Sequence, residues 1–409
     1  MTPDRARVGR RPAIASGLLD ARTGIVAGIE QIPVREPWHL YQAAISEPRW
    51  QLRPNGGRVA AGCSLDRRQA EASAIGEAVE RYCSMHADPR RLHRSNHQQL
   101  SSRHERAIDP RDLQLARARS DAVLTPQTEC DWVQGQDRHG PCWVPAALTW
   151  TEPGPQARTG AGRPYCAPHS QGVALASTRA GARHHALGEV IERHALATVW
   201  HLGIALPELG TDGDIHCWLV PNRWHLPVVL AAIVEPGWIA AGSAVGDSIA
   251  NAAEKAGAEA VMMCHTLALA ADDDSPWATG PVPHRAAEAL DLHAHAALCR
   301  QPAVRRRQLD RLGLGDADPA PPVRPPAWAD PPPHPNELRD VDPETALIAT
   351  GLEPVTVDLT TTEVAEAGWT VVRVVVPGLR GTAPAGYIPP GHGIDPLPPA
   401  PDLTPIPVM

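Results

Sequence analysis

The stretch Gln69–Ser84, QAEASAIGEAVERYCS, decides how the rest of the chain is read. At helical period it places Ser73, Glu77, Glu80 and Arg81 on one face and Ile75, Val79 and Tyr82 on the opposite one. Two acids and an arginine therefore share a stripe. A second stretch from His185, HALGEVIERHAL, repeats the device, with Glu189, Glu192 and Arg193 on one side and Leu187 and Ile191 on the other. A third, SIANAAEKAGAEAVMMCHTLALA, follows from Ser248. Aligning Ala70, Ala182 and Ala252 brings Glu77, Glu189 and Glu259 into register without a gap, each copy reading A-x-x-x-A-x-x-E. In the third copy Met262 and Met263 stand where the second acid and the arginine would be, so it is expected to serve packing only.

Around these helices the chain alternates strand-like and helix-like runs. Residues 17–62 mix short apolar runs with Pro and Gly and suit strands and loops. Ser64 and Asp66 are cap candidates for the first helix, which should end between His86 and Pro89. DWVQGQDRHGPCWVPAALTW, from Asp131, predicts a hairpin turning at 137–140, and LPVVLAAIVEPGWIAAGSAV, from Leu226, predicts two strands about a Pro-Gly turn. Residues 300–340 are rich in Arg and Pro and read as a flexible insertion, and 389–409 as a proline-rich tail. Between them, PVTVDLTTTEVAEAGWTVVRVVVPGL gives strand, short helix, strand. The expectation is a single domain over 1–409, of α/β (α+β) class, with internally repeated strand-helix units.

Composition narrows the function classes. The 409 residues carry a net charge of −8, which argues against a nucleic-acid partner because such affinity comes from neutralising phosphates. No apolar run is long enough to cross a bilayer, and the first residues lack the apolar core of a signal peptide, so a cytoplasmic protein without a membrane is expected. The 8 cysteines show no C-x-x-C pairing and read as reduced thiols. The chain has 44 prolines, no phenylalanine and a single lysine, Lys255, a bias attributed to the source genome. There is no G-x-x-x-x-G-K-[ST] loop, no G-x-G-x-x-G and no G-x-S-x-G elbow.

Clustered acids on packed helices repel, and they raise one another's pKa or demand cations. A solvated face with an internal Glu77–Arg81 salt bridge is the bland alternative. If the faces converge, divalent metal holding polyphosphate is one use, since magnesium takes carboxylates together with phosphate oxygens. A di-iron bundle wants Glu-x-x-His on two helices, whereas both helices here read Glu-x-x-Glu, so metal and phosphate fit better.

SAIGEAVERYCS followed by SQGVA and ALGEVIERHA, WV-x-G before VPAAL, and the late VDLTTTEVAEAGWTVVRVVVPGL together resemble the YcaO family. More narrowly, they are similar to the azoline-forming cyclodehydratases of ribosomal peptide natural-product pathways. The resemblance implies a YcaO-like fold and an enzyme using ATP and Mg2+ on a precursor peptide. A Cys, Ser or Thr side chain attacks the preceding amide, ATP phosphorylates the amide oxygen, and phosphate leaves to give a thiazoline or oxazoline. Carried over by position, it implies that Ser73, Ser170, Gln171 and His185 lie beside nucleotide. Glu77, Glu80, Glu189 and Glu192 would hold magnesium, and Arg81 and Arg193 would support phosphate. It also implies a tail reaching towards the active site.

Several positions depart from the family pattern. Gly181 stands where an acid is usual and His185 where a glutamine is usual, Gly62-Cys63-Ser64 replaces G-K-G, and Ala176 replaces a glycine. The tail places Pro405 and Pro407 before Val408 and Met409 instead of the family's repeated proline motif. Two alternatives share the fold: a non-catalytic or weakly active scaffold that binds precursor peptide, and an enzyme making a thioamide or amidine. A separate leader-peptide-binding partner protein is expected, and a homodimer is common in such enzymes.

Overall fold

The computed structural model describes residues 16–46, 59–151, 164–167, 170–271, 283–315, 326, 328, 338 and 341–407. The first sheet is antiparallel, in the order β1 (Val26–Ile32), β2 (His39–Ile45), β3 (Val59–Ser64), and α1 (Arg67–Met85) packs on it. Next come β4 (His93–Ser95), α2 (His97–Ser102), β5 (Cys130–Asp137), β6 (Gly140–Pro145), β7 (Val173–Ala176) and α3 (Arg179–His201). β8 (Glu208–Asp212), β9 (Ile215–Leu219), β10 (Val228–Val234) and β11 (Ile239–Val245) form a second sheet in the order β11-β10-β9-β8, followed by α4 (Ile249–Ala271). After α5 (Leu292–Cys299), α6 (Pro302–Arg311) and α7 (Pro343–Ala349), the chain returns through β12 (Val355–Asp358), α8 (Thr362–Glu366) and β13 (Thr370–Val375). These complete a third sheet in the order β4-β5-β12-β13-β7, with β6 paired to β5. Both predicted hairpins are present, as β5–β6 and β10–β11.

The repeat seen in sequence is a repeat of structure. An edge strand runs into a helix three times, as β3 to α1, β7 to α3 and β11 to α4. Each helix begins at a side-chain cap. Asp66 accepts from the Gln69 N–H at 2.8 Å, Thr178 from Gly181 at 3.1 Å and Ser248 from Asn251 at 3.2 Å. Each helix packs on its own strand and also on the strand of the next unit, α1 on β7, α3 on β11 and α4 on β3, so the three units close a ring.

The Ala-x-x-x-Ala spacing lets helix and strand approach closely. A Cβ added at Gly62 would lie 2.3 Å from the Ala74 nitrogen and 2.5 Å from the Ala70 carbonyl oxygen. At Gly242 it would lie 2.4 Å from the Ala256 carbonyl oxygen and 2.6 Å from the Ala260 nitrogen. In the absence of phenylalanine, Trp132, Trp200 and Trp218 are the largest fully buried side chains. Among the described residues no helix is long and apolar enough to cross a membrane.

The segment 300–340 departs from the sequence expectation. It begins as helix α6, with Pro302 at the first helical position, where a missing N–H costs nothing. Gln308 on that helix is fully buried and donates to the Pro405 carbonyl at 3.0 Å. Most of the remainder of that segment lies outside the described residues. The tail is packed: the Trp200 indole donates to the Thr404 carbonyl at 2.8 Å, and His295 bonds the Ile406 carbonyl at 2.9 Å. Its last described residues are thus pinned at the C-terminal end of α3, about 10 Å along the helix axis from Arg193. Val408 and Met409 lie outside the described residues.

Gly62→Ala and Gly242→Ala should each cost about 1–3 kcal/mol by overpacking, read as a melting temperature lowered by several degrees. Gly28→Ala, where an added Cβ meets nothing within 4 Å, serves as the control and should leave the melt nearly unmoved.

Candidate active site

The glutamates of the three repeat helices gather where the ring closes. Each of four accepts from a backbone N–H at the exposed edge of a sheet. Glu189 takes the Gly172 N–H at 2.9 Å, just before β7, and Glu80 of α1 takes Leu175 on β7 at 2.7 Å. On β11, Glu259 takes Ser243 at 3.3 Å and Glu192 of α3 takes Val245 at 3.2 Å. The Ser243 hydroxyl also donates to Glu192 at 2.6 Å. The pattern is regular: in α3 and α4 the first acid binds the helix's own strand, and in α1 and α3 the second acid binds the strand of the next unit. Glu77, the first acid of α1, pairs with Arg81 at 2.8 Å, and Arg81 reaches the Val59 carbonyl on β3 at 2.9 Å.

Glu259 corrects the expectation that the third copy serves packing only. The third copy lacks the second acid and the arginine, but its first acid keeps its strand contact without them. The aligned A-x-x-x-A-x-x-E register was the signal that could have identified it.

Burial dominates the electrostatics. It pushes Glu189 up to about 7, with the neighbouring Glu77 adding to the rise against the pull of Arg193. Burial and the charge of Glu77 hold Glu80 well above the ordinary carboxylate value. Glu192 and Glu259 are both raised, first by burial, and Glu259 adds to the rise of Glu192. Arg193 is buried among them, 3.4 Å from Glu192 and 4.0 Å from Glu189. Burial works against its charge, but the fields of Glu192, Glu259, Glu189 and Glu77 outweigh it and keep the guanidinium charged. Burial pushes Arg373 on β13 down to about 10, against the field of Glu189.

Five carboxylates thus gather around few cations. Among the described residues no three Asp, Glu, His or Cys donors converge as a preformed ion site. Magnesium is satisfied by one or two carboxylates with water and phosphate oxygens. The donor set therefore fits a divalent cation that arrives with a polyphosphate.

The other expected residues take varied places. Ser73 lies on the same face of α1 as Glu77 and accepts from the Gln69 side chain at 3.1 Å. Ser170 is exposed, and Gln171 donates to the carbonyl and hydroxyl oxygens of Thr382 at 2.7 and 3.1 Å. His185 is exposed one turn before Glu189. Cys63 packs against an apolar cluster, and burial pushes its thiol up to about 12. Gly181 is the residue whose N–H bonds the Thr178 cap.

A second buried network was not foreseen. His194, next to Arg193, accepts from the Arg380 backbone N–H at its Nδ1, 3.1 Å away, so Nε2 carries the proton that bonds Asp395 at 3.0 Å. Arg223 donates to Asp395 at 2.5 Å, and the Trp328 indole N–H donates to the same carboxylate at 3.0 Å. Burial opposes the charge of Asp395, but the bonds from His194 and Arg223 hold it well below the carboxylate range. The loop anchored at Arg380 carries Thr382, the partner of Gln171.

A model of the family described as YcaO cyclodehydratase, ATP- and Mg2+-binding, matches residues 61–380. The chain belongs to the YcaO family. It is therefore a member of a family of ATP- and Mg2+-binding enzymes. Solved structures with a similar fold include a heterocyclase in complex with substrate and cofactor, at a TM-score of 0.61 and 19% identity over 89% of this chain. The chain spans 51% of that heterocyclase. A YcaO protein from Methanopyrus kandleri bound with AMPPCP and Mg2+ gives a TM-score of 0.56 at 18% identity, covering 87% of this chain and 86% of that one. The E. coli microcin synthetase McbBCD complex with pro-MccB17 bound gives 0.56 at 12% identity, covering 88% and 90%. A search of curated proteins returns no match.

The raised carboxylates fix the sign of a pH effect. Glu189 goes from an ordinary 4.5 to about 7 on folding, so the stability linked to its proton is complete below the unfolded value and is lost as pH rises through the folded one. The melting temperature of the ligand-free YcaO protein should fall from about pH 5 to about pH 8. Glu259→Gln should flatten that fall, measured by thermal melts across the range.

Proposed function

We propose that this YcaO protein carries out ATP-dependent cyclodehydration of Cys, Ser or Thr residues in a ribosomal precursor peptide. The observation that carries this reading is the gathering of buried, partly uncompensated glutamates from three helices around Arg193. Such a site is costly without a cation and suited to one that comes with polyphosphate. Glu77, Glu80, Glu189 and Glu192 would hold magnesium or its water shell, and Glu259 adds a fifth carboxylate beside Glu192. Magnesium supplies neutralisation of the charge that develops as phosphate transfers.

The protein's own part is positioning. Arg193 stays charged inside the acidic field and fixes the carboxylates around it. Arg81, exposed and paired with Glu77, would exchange its bond to the Val59 carbonyl for a phosphate oxygen at the rim. Ser73, Ser170, Gln171 and His185 are the polar groups proposed to lie beside the nucleotide. In the reaction, the substrate side chain attacks the preceding carbonyl carbon and the carbonyl oxygen takes the terminal phosphoryl group. The attacking side chain and the amide nitrogen each give up a proton as that oxygen departs within phosphate, so the products are ADP, phosphate and an azoline-containing peptide lighter by one water. The microcin synthetase complex seen with pro-MccB17 bound supports a peptide substrate handled together with partner proteins.

A scaffold without turnover is the second reading, and Gly181 favours it. The acid usual there is missing, and Glu259 lies near Glu192, about 16 Å further along α3, so it does not replace that acid. A thioamide- or amidine-forming enzyme is a further alternative.

Glu189→Gln should reduce peptide-stimulated ATP hydrolysis and ring formation by at least about a hundredfold, followed by phosphate release and peptide mass. A wild-type protein that binds Mg-ATP without turnover on its precursor would favour the scaffold, and exchange of oxygen for sulfur in the product would indicate a thioamide.

A further inference from the structure

The loop that follows β13 borders a cavity to which the reaction as proposed gives no task. Leu113, Leu148, Val190 and Leu379 supply apolar walls, and two arginines, Arg373 and Arg380, also line it. Among the described residues, no Asp or Glu does. The volume is about 80 Å3, room for roughly six waters or one medium-sized side chain. In a chain of net charge −8, this pocket has cations as its ionised groups.

Arg373 and Arg380 are only 1% and 2% exposed. Burial pushes each down to about 10, which still leaves both charged at neutral pH. Arg380 uses Nη2 for the His392 and Asp395 carbonyls, while its Nε and Nη1 are buried with no hydrogen-bond partner among the described residues. A desolvated guanidinium with donors left over is costly, and a carboxylate satisfies it through charge-assisted bonds. Leucine and valine walls would strip water from an inorganic anion without replacing it, whereas the methylene stem of an acidic side chain packs against them.

The cavity adjoins the glutamate cluster through the chain itself. Val190 follows Glu189, and Gln171 in the lining precedes Gly172, whose N–H Glu189 binds. Gln171 and Thr382, both half-buried, bond each other on the outer side, and a Cβ at Gly381 would collide with the Gln171 amide. We propose that this cavity is a side-chain subsite for the precursor peptide, taking an Asp or Glu carboxylate near the residue that is cyclised. The proposal rests on the reading of the protein as a peptide cyclodehydratase. Successive residues of an extended peptide lie about 3.3 Å apart, so a peptide with its reacting carbonyl at the glutamates reaches the cavity with a side chain a few residues away.

Saturation-transfer NMR on the full chain tests the cavity without turnover. The probes are N-acetylglutamate methylamide, its glutamine counterpart, and N-acetylglycine as a free C-terminal carboxylate. The glutamate probe should bind about tenfold more tightly than the glutamine one, and N-acetylglycine no better than the latter. Arg380→Gln should remove the preference. Ala383→Leu, which fills the cavity from its lining and keeps both arginines, should also remove it while melting as wild type does. Equal binding of the first two probes, tightest binding of N-acetylglycine, or an undiminished preference in both variants overturns the subsite. With the precursor as substrate, the glutamate probe should raise KM and leave kcat unchanged; a probe that binds without competing also overturns it. If no precursor is turned over while the glutamate preference and its loss in the variants persist, the cyclodehydratase reading falls, the peptide assignment with it, and the cavity remains a carboxylate site.

Discussion

A carboxylate accepting a hydrogen bond from an unpaired backbone N–H at a sheet edge is the interaction on which the rest of this structure depends. Open strand edges invite association, and β7 and β11 are both edges of their sheets. Here the edges are closed by glutamates from helices, two on β11 and one on β7, with another at the turn that leads into β7. Each such bond places a carboxylate in a buried position. The helices cannot satisfy the edges without also bringing their charges together.

That coupling has an energetic consequence. Moving Glu189 from 4.5 to about 7 corresponds to roughly 3 kcal/mol against its charged form. Arg193 offsets part of this charge crowding but sits among four acids. The unbound protein is therefore held under electrostatic stress at one point, supported by apolar packing elsewhere. A ligand bringing positive charge relieves that stress in proportion to how well it is placed, as a divalent cation between carboxylate and phosphate oxygens is.

Much of this was legible in the sequence because it is local. The A-x-x-x-A-x-x-E register, the cap at Asp66 and the two hairpins are short-range patterns, and the folded chain uses them as read. Glu259 was misjudged because the partner that gives it meaning is the Ser243 N–H, and a helix sequence does not show which strand edge it will meet. Helix α6 lies within the Arg- and Pro-rich 300–340, whose composition reads as a flexible insertion, although Pro302 at the first helical position starts a helix. The His194–Asp395 pair left no trace in either local sequence. Its members are 201 residues apart, and nothing near His194 distinguishes it from the other histidines.

That separation also bears on how the chain comes to be folded. His194 and Trp200 of α3 are fully buried, and each bonds a residue near the C-terminus, Asp395 and Thr404. During synthesis α3 is made some two hundred residues before its cover. Until then it presents a bare indole and an unbonded imidazole beside the charged cluster. Contacts of such long range make for slow final assembly and a period in which nascent chains can aggregate. The glutamate ring thus reaches its working form late, when the tail docks, and chaperone supply during translation bears directly on how much competent protein a cell obtains.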